Sequence, residues 1–144
     1  KLIYGDFMKI LVIDDDPAMT DLLKLILVST DAEIITANSG SEGLQKIKTN
    51  CPSMVILDLM MPDMDGWAIT SEIRKFSSVP VLILSVIDNP GLAARALDAG
   101  ADDYLIKPAA RNILIAHINN LTRRTVTATG DPSQLQISAQ TIYS

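Results

Sequence analysis

The sequence predicts an α/β domain built on one sheet of five parallel strands, in the order 2-1-3-4-5, with helices on both faces. Three observations carry that expectation. Short apolar, β-branched-rich runs recur along the chain: KILVI at 9–13, EIITA at 33–37, MVIL at 54–57, PVLIL at 80–84 and DYLI at 103–106. Between them, apolar residues recur at helical spacing, and alternation of strand and helix argues for a parallel sheet covered on both sides. Crossovers in such sheets are right-handed, which leaves few topologies, and this order is one of the two common doubly wound ones.

Taken in order, strand 1 (Lys9–Ile13) ends in Asp14-Asp15-Asp16. Pro17 suits a helix's first turn, with Asp16 as its N-cap. Met19, Leu22, Leu23, Ile26 and Leu27 then give helix 1 one apolar face. Strand 2 is Glu33–Ala37. Ser39-Gly40-Ser41-Glu42 has capping-box spacing, and Leu44 with Ile47 forms the buried side of helix 2. Strand 3, Met54–Leu57, reads as buried on both faces and ends in Asp58, where Pro62, Asp63, Asp65 and Gly66 supply turn chemistry. Trp67, Ile69 and Ile73 mark helix 3. Strand 4 is Pro80–Leu84, with proline where no ladder donor is needed and Ser85 at its exit. Asn89-Pro90-Gly91 breaks the chain, helix 4 follows through Leu92, Ala93, Ala96 and Leu97, and Gly100 fits its C-cap. Strand 5, Asp103–Ile106, runs into Lys107-Pro108. Ile113, Leu114, Ala116, Ile118 and Leu121 mark helix 5, closed by Arg123-Arg124 at its negative dipole end.

Composition narrows the function classes. A chain of 144 residues, 48% apolar and 20% charged, suits one domain with a real core. A formal net charge of -5 argues against binding nucleic acid or an anionic membrane through bulk charge. No apolar run is long enough to span a bilayer. The single cysteine, Cys51, forms no internal disulfide and sits in a loop beside Pro52, with nothing near it that suggests a metal or a catalytic thiol. A reducing, cytoplasmic setting is the expectation. Residues 1–7 lack a signal peptide's apolar region and read as a leader or cloning remnant ahead of Met8.

The polar residues at the strand exits carry the chemistry. Strand 1 delivers Asp14 and Asp15, strand 3 Asp58, strand 4 Ser85 and strand 5 Lys107. Ligands bind at those ends of an open α/β sheet, at the switch in strand order, which lies here between strands 1 and 3. Alone, each residue has an ordinary explanation: a cap, a turn former, a loop hydroxyl, a surface charge. Together they meet at one edge of one sheet. Three carboxylates in one crevice repel, and a divalent cation removes the conflict. Oxygen ligands without histidine or cysteine point to Mg²⁺. Asp58 would then be an ionised nucleophile for a phosphoryl group, with Lys107 stabilising the phosphoryl oxygens and Ser85 donating to the group once transferred.

These residues resemble the receiver domain of bacterial two-component response regulators. The matching pieces are KILVIDD (Lys9–Asp15), VILDLMMPDMDG (Val55–Gly66), VPVLILS (Val79–Ser85) and GADDYLIKP (Gly100–Pro108), within residues 8–122. The resemblance implies a flavodoxin-like (βα)5 domain over residues 8–124 that acts as a signalling switch rather than an enzyme. It implies Asp58 as phosphoacceptor, and Mg²⁺ held by Asp15, Asp58 and the Met60 backbone carbonyl, with Asp14 acting through water. It implies Lys107 as phosphate partner, Ser85 and Tyr104 as switch residues, and a cis Lys107-Pro108 bond. The donor would be the phosphohistidine of a sensor histidine kinase. The responding face would be helix 4, strand 5 and helix 5, a possible homodimer surface. Residues 125–144 read as a linker and the start of a missing effector domain. Within them GDPSQLQISAQTI (Gly130–Ile142) looks like the entry to a winged-helix DNA-binding domain of the OmpR/PhoB-like subfamily, so DNA would be reached only through that missing part.

The chain departs from the family pattern at several points. Val86 stands where Ala or Gly is usual, and Ala109 where Phe follows Lys-Pro. Ala93, Ile113 and His117 occupy positions that are usually basic, Glu and Arg, and that form the ion pairs of the subfamily's dimer. His117 is accordingly read as a surface or interface residue rather than a ligand. Two other readings stay open: a receiver-like interaction module that works without phosphorylation, and a Mg²⁺-dependent phosphohydrolase. The latter is disfavoured because Met60, not a second acid, stands two residues after Asp58.

Overall fold

The computed structural model describes residues 8–128, with side chains through residue 123. The leader at 1–7 and the strand expected within 130–142 lie outside the described residues. β1 (Lys9–Ile13), β2 (Glu33–Ala37), β3 (Met54–Leu57), β4 (Val81–Ser85) and β5 (Asp103–Ile106) form one sheet. Its order is β2-β1-β3-β4-β5 and every neighbouring pair is parallel. α1 (Pro17–Ile26), α2 (Gly40–Asn50), α3 (Gly66–Arg74), α4 (Pro90–Asp98) and α5 (Arg111–Ala128) alternate with the strands, and a 3-10 turn at Leu27–Thr30 follows α1. This is the doubly wound, flavodoxin-like arrangement.

The period-2 pleat of the central strands divides the apolar side chains between two cores. Leu11 and Ile13 of β1, Val55 and Leu57 of β3, and Val81 and Ile83 of β4 join Ile47, Ile69, Ile73 and Ala96, under α2, α3 and α4. Ile10, Val12, Met54, Ile56, Leu82 and Leu84 join Leu23, Leu114, Ile118 and Leu121, under α1 and α5. Each fully buried Leu, Ile or Val contributes about 1.5–3 kcal/mol, so shifting β1 or β3 by one residue would exchange one core for the other. α2 approaches β1 closely at Gly43, where an added Cβ would lie 2.4 Å from Ile13 Cδ1.

Caps start the helices where the sequence offers them. Asp16 accepts from Ala18 N–H at 3.0 Å ahead of Pro17. Asp65 accepts from Ala68 N–H at 2.8 Å and begins α3. The Asn89-Pro90 break is itself a helix start: Asn89 accepts from Gly91 and Leu92 N–H, and Pro90 takes the first position of α4. Gly100 lies just beyond the Ala99 C-cap at φ 117°, a left-handed backbone that suits glycine.

Two boundaries differ from the sequence expectation. β4 spans Val81–Ser85 rather than 80–84. Pro80 has no N–H for the ladder, although its carbonyl accepts from Val55 N–H at 2.9 Å. Ser85 is therefore the last residue of the strand, paired with Ile106, not the first residue after it. α5 continues through Ala128, past the Arg123-Arg124 pair expected to close it. No glycine or proline interrupts 111–128, and the threonines there cost a helix only a few tenths of a kcal/mol each.

Candidate functional site

The sheet brings the strand exits together. Asp14 leaves β1 with its N–H on the Ala37 carbonyl at 3.1 Å, and Asp58 leaves β3 with its N–H on the Ile13 carbonyl at 2.9 Å. One carboxylate oxygen from each of Asp14, Asp15 and Asp58 lies within 4.8 Å of the others. Asp14 is buried, Asp15 exposed and Asp58 between the two. Lys107 enters from the end of β5, where its N–H donates to the Ser85 carbonyl at 2.8 Å. Its ammonium donates to Asp14 Oδ2 at 2.8 Å and lies 3.7 Å from Asp58 Oδ1. The Lys107-Pro108 peptide is cis.

The electrostatics follow from this crowding. Burial pushes the Asp58 carboxyl above the ordinary range. Lys107 opposes that shift, while Asp14 and Asp15 add to it and a backbone hydrogen bond from Met60 counters it. Asp14 has both oxygens engaged, Oδ1 by Asp16 N–H at 3.0 Å and Oδ2 by Lys107. The donor set is oxygen alone and carries more acid than its one lysine balances. It fits a hard divalent cation such as Mg²⁺.

The loop after Asp58 is fastened at three points. Gly66 N–H donates to the Leu59 carbonyl at 2.7 Å, and a Cβ at Gly66 would meet Leu59 Cα at 2.8 Å, so only glycine fits there. Asp65 caps α3. Asp63 reaches back to α2, accepting from Gly40 N–H at 3.0 Å and Ser41 N–H at 3.2 Å. Those amides, Gly40 first, hold its carboxyl below the usual range. Met60, between these anchors, is exposed.

Ser85 and Tyr104 meet at one residue. The fully buried Ser85 hydroxyl accepts from Ile87 N–H at 3.2 Å, and the Tyr104 hydroxyl donates to the Ile87 carbonyl at 2.8 Å. Val86 is 71% exposed and lines an apolar cavity of about 320 Å³ with Met19, Leu22, Lys107, Pro108 and Ala109. On the side of α4, β5 and α5, Leu97, Ile106 and Ile113 are exposed, and His117 Nδ1 pairs with Asp103.

The structure thus gathers Asp14, Asp15, Asp58 and Lys107 tightly, with Ser85 joined to them through the Lys107 backbone. It places Tyr104 at Ile87 rather than among the acids. Two contacts at the site have no counterpart among the sequence expectations: Asn38 on the Asp14 carbonyl, and Asp63, expected only as a turn residue, on the amides of α2. The available signal was at α2: a capping box leaves the first two helix amides without partners.

The fold and the cluster at its strand exits have counterparts among known proteins. Residues 10–119 match the response regulator receiver domain family, and the chain belongs to it. It is 39% identical over 116 residues to a "probable transcriptional regulator ycf27" of Pyropia yezoensis, covering 81% of this chain and 48% of that protein. It is 38% identical over 129 residues to a CpxR homolog of Haemophilus influenzae, covering 90% of this chain and 56% of that one. The chain therefore spans about half the length of these curated relatives. Among solved structures, a two-component response regulator from Clostridium difficile superposes with a TM-score of 0.79 at 33% identity, covering 82% of this chain and 98% of that one. No helix among the described residues is long and apolar enough to cross a membrane.

Proposed function

We propose that this receiver domain accepts a phosphoryl group on Asp58 from the phosphohistidine of a sensor histidine kinase. The observation that carries the reading is the convergence of Asp14, Asp15, Asp58 and Lys107 at one sheet edge, with the Asp58 side chain largely shielded and its oxygen 3.7 Å from the ammonium. An Asp58 oxygen attacks phosphorus, the P–N bond breaks, and the imidazole leaves with the electron pair, giving an acyl phosphate. Lys107 shifts its ammonium from Asp14 toward the arriving oxygens. Mg²⁺ held by Asp15, Asp58 and the Met60 carbonyl, with Asp14 acting through water, would offset the negative charge of the phosphoryl oxygens.

The output follows from Ile87. The Ser85 oxygen accepts from Ile87 N–H, so turning its hydroxyl toward the phosphoryl group bears on the Ile87 amide, and Ile87 also carries the Tyr104 hydroxyl. Phosphorylation thereby biases the loop before α4 and the face of α4, β5 and α5, as far as it favours one state over the other. That face, with Leu97, Ile106 and Ile113 exposed, is the candidate contact for a second copy. The receiver runs from residue 8 through the end of α5, the chain beyond it leads to an effector domain, and the whole protein controls transcription in the cytoplasm, reaching DNA only through that domain.

Incubation with Mg²⁺ and acetyl phosphate, followed by intact mass, tests this reading. The expected result is one labile phosphoryl adduct, absent in Asp58→Ala. No adduct from acetyl phosphate or from a phosphorylated kinase refutes it in favour of a phosphorylation-independent interaction module. Steady turnover of phosphate esters would instead mark a phosphohydrolase.

A further inference from the structure

The start of α2 touches both loops that carry the acids. A helix opens with amide donors that have no partner in the helix itself, and each must be satisfied from outside. At α2, Ser39 Oγ takes Glu42 N–H at 3.1 Å, and Gly43 N–H makes the first regular bond, to the Ser39 carbonyl at 3.0 Å. Gly40 and Ser41 remain, and Asp63 takes both. Asp63 belongs to the loop that begins at Asp58. One residue before the cap, Asn38 donates from Nδ2 to the Asp14 carbonyl at 2.9 Å and to the Thr20 hydroxyl at 3.4 Å.

Residues 38–41 therefore grip the β1–α1 loop on one side and the β3–α3 loop on the other. The sheet itself fixes Asp58 only as far as its N–H bond to Ile13. Beyond it, Met60 has no sheet partner. The backbone there is held by the Met60 N–H bond to the Asp58 carboxylate, by the Gly66–Leu59 bond and by Asp63.

We infer that Asn38 and Asp63 are positioning residues: with the first turn of α2 they form a brace that sets the spacing of the two acid-bearing loops for a divalent cation. The brace rests on the functional reading above. Neither side chain need touch the cation. Each acts through backbone that carries a ligand, as groups outside the coordination shell do when they orient it.

The competing explanation is that Asp63 only caps α2. In that case its loss lowers stability and leaves the metal site alone. Calorimetric titration with Mg²⁺ alone separates the two, applied to the wild type, Asn38→Ala, Asp63→Ala and the double variant, with melting curves in chelator. Each single variant should weaken Mg²⁺ binding about three- to tenfold, and the double variant by less than the product of the two. Phosphorylation by acetyl phosphate should need more Mg²⁺ yet recover to within about a factor of two at saturation, the mark of lost binding rather than lost chemistry.

Glu42→Ala is the control. Glu42 accepts from Asn38 N–H and pairs with Lys46, so its loss loosens the same helix end without releasing either loop. It should lower the melting temperature and leave Mg²⁺ affinity unchanged. Unchanged affinity in both Asn38→Ala and Asp63→Ala, or an equal loss in Glu42→Ala, overturns the brace. A wild type that neither binds Mg²⁺ nor takes up the phosphoryl group overturns the reading of the site itself, and the brace with it.

Discussion

Replacing Asp58 by asparagine should make the metal-free protein more stable. The carboxylate of Asp58 is 13% exposed, with Lys107 at 3.7 Å and the carboxylates of Asp14 and Asp15 within 4.8 Å. At an effective dielectric constant of ~20, an ammonium at 3.7 Å attracts by about 4.5 kcal/mol and a carboxylate at 4.8 Å repels by about 3.5 kcal/mol. Asp15 is exposed, so solvent screens its share to roughly 1 kcal/mol. Attraction and repulsion nearly cancel, and the cost of taking Asp58 out of water remains. Asparagine keeps the shape and removes the charge, so Asp58→Asn should gain about 1–2 kcal/mol at neutral pH. For a domain of this size that is about 3–8 °C in melting temperature.

The pH dependence has a definite sign. The folded-state carboxyl titrates above its unfolded value, so between the two pKa values the folded protein binds more protons. Stability falls as pH rises through that window, and the penalty is complete above it. The advantage of Asp58→Asn should therefore grow as pH rises through that window and vanish below the ordinary carboxylate range. Mg²⁺ should reverse the ranking: at a hundred times its dissociation constant it stabilises the wild type by about 2.7 kcal/mol, and the variant, short of one charged ligand, by less. Differential scanning calorimetry in chelator and in Mg²⁺ checks both arms. An Asp58→Asn protein that melts at or below the wild type in chelator at pH 7 refutes the electrostatic account.

Three further outcomes follow from the geometry. Arg74→Ala removes hydrogen bonds to the carbonyls of Gly100, Ser77 and Val79 and leaves Asp102 without its guanidinium; urea unfolding should show a loss of about 2–4 kcal/mol. Gly43→Ala gains helix propensity but drives a methyl into Ile13, so a net loss of about 1–3 kcal/mol is expected in the same assay, and a gain would contradict the packing. Tyr104→Phe keeps the ring and removes the bond to Ile87; it should phosphorylate at the wild-type rate while its α4 resonances shift less on phosphorylation, as read by NMR.

The fold was largely legible because the central strands are buried on both faces. Such strands must be continuous apolar runs, and Met54–Leu57 and Lys9–Ile13 are recovered residue for residue. The chemistry at their exits was legible for the same reason, since Asp58 and Asp14 are the first polar residues after those runs. The end of α5 was not, because Leu121 is the last residue of the apolar stripe and nothing after it either demands or forbids another turn of helix. Nor was the partner of Asp63 visible. A carboxylate in a Pro-Asp-Met-Asp-Gly turn has a sufficient local explanation, and only the fold brings it to amides 23 residues earlier in the chain.

Trp67, the chain's single tryptophan, sits between α3 and α4. It stands in the first turn of α3, directly after the loop that starts at Asp58. Its indole N–H points to the Leu92 carbonyl of α4 at 3.5 Å, and the Arg95 guanidinium lies 4.3 Å from the ring centroid. A guanidinium over an indole face and a carbonyl at its edge both tune the emission of the excited state. Any displacement of α4 relative to α3 changes both contacts at once. The protein therefore carries an intrinsic optical probe of the α3–α4 contact, and under the function proposed above its fluorescence should follow phosphoryl uptake in real time without a label.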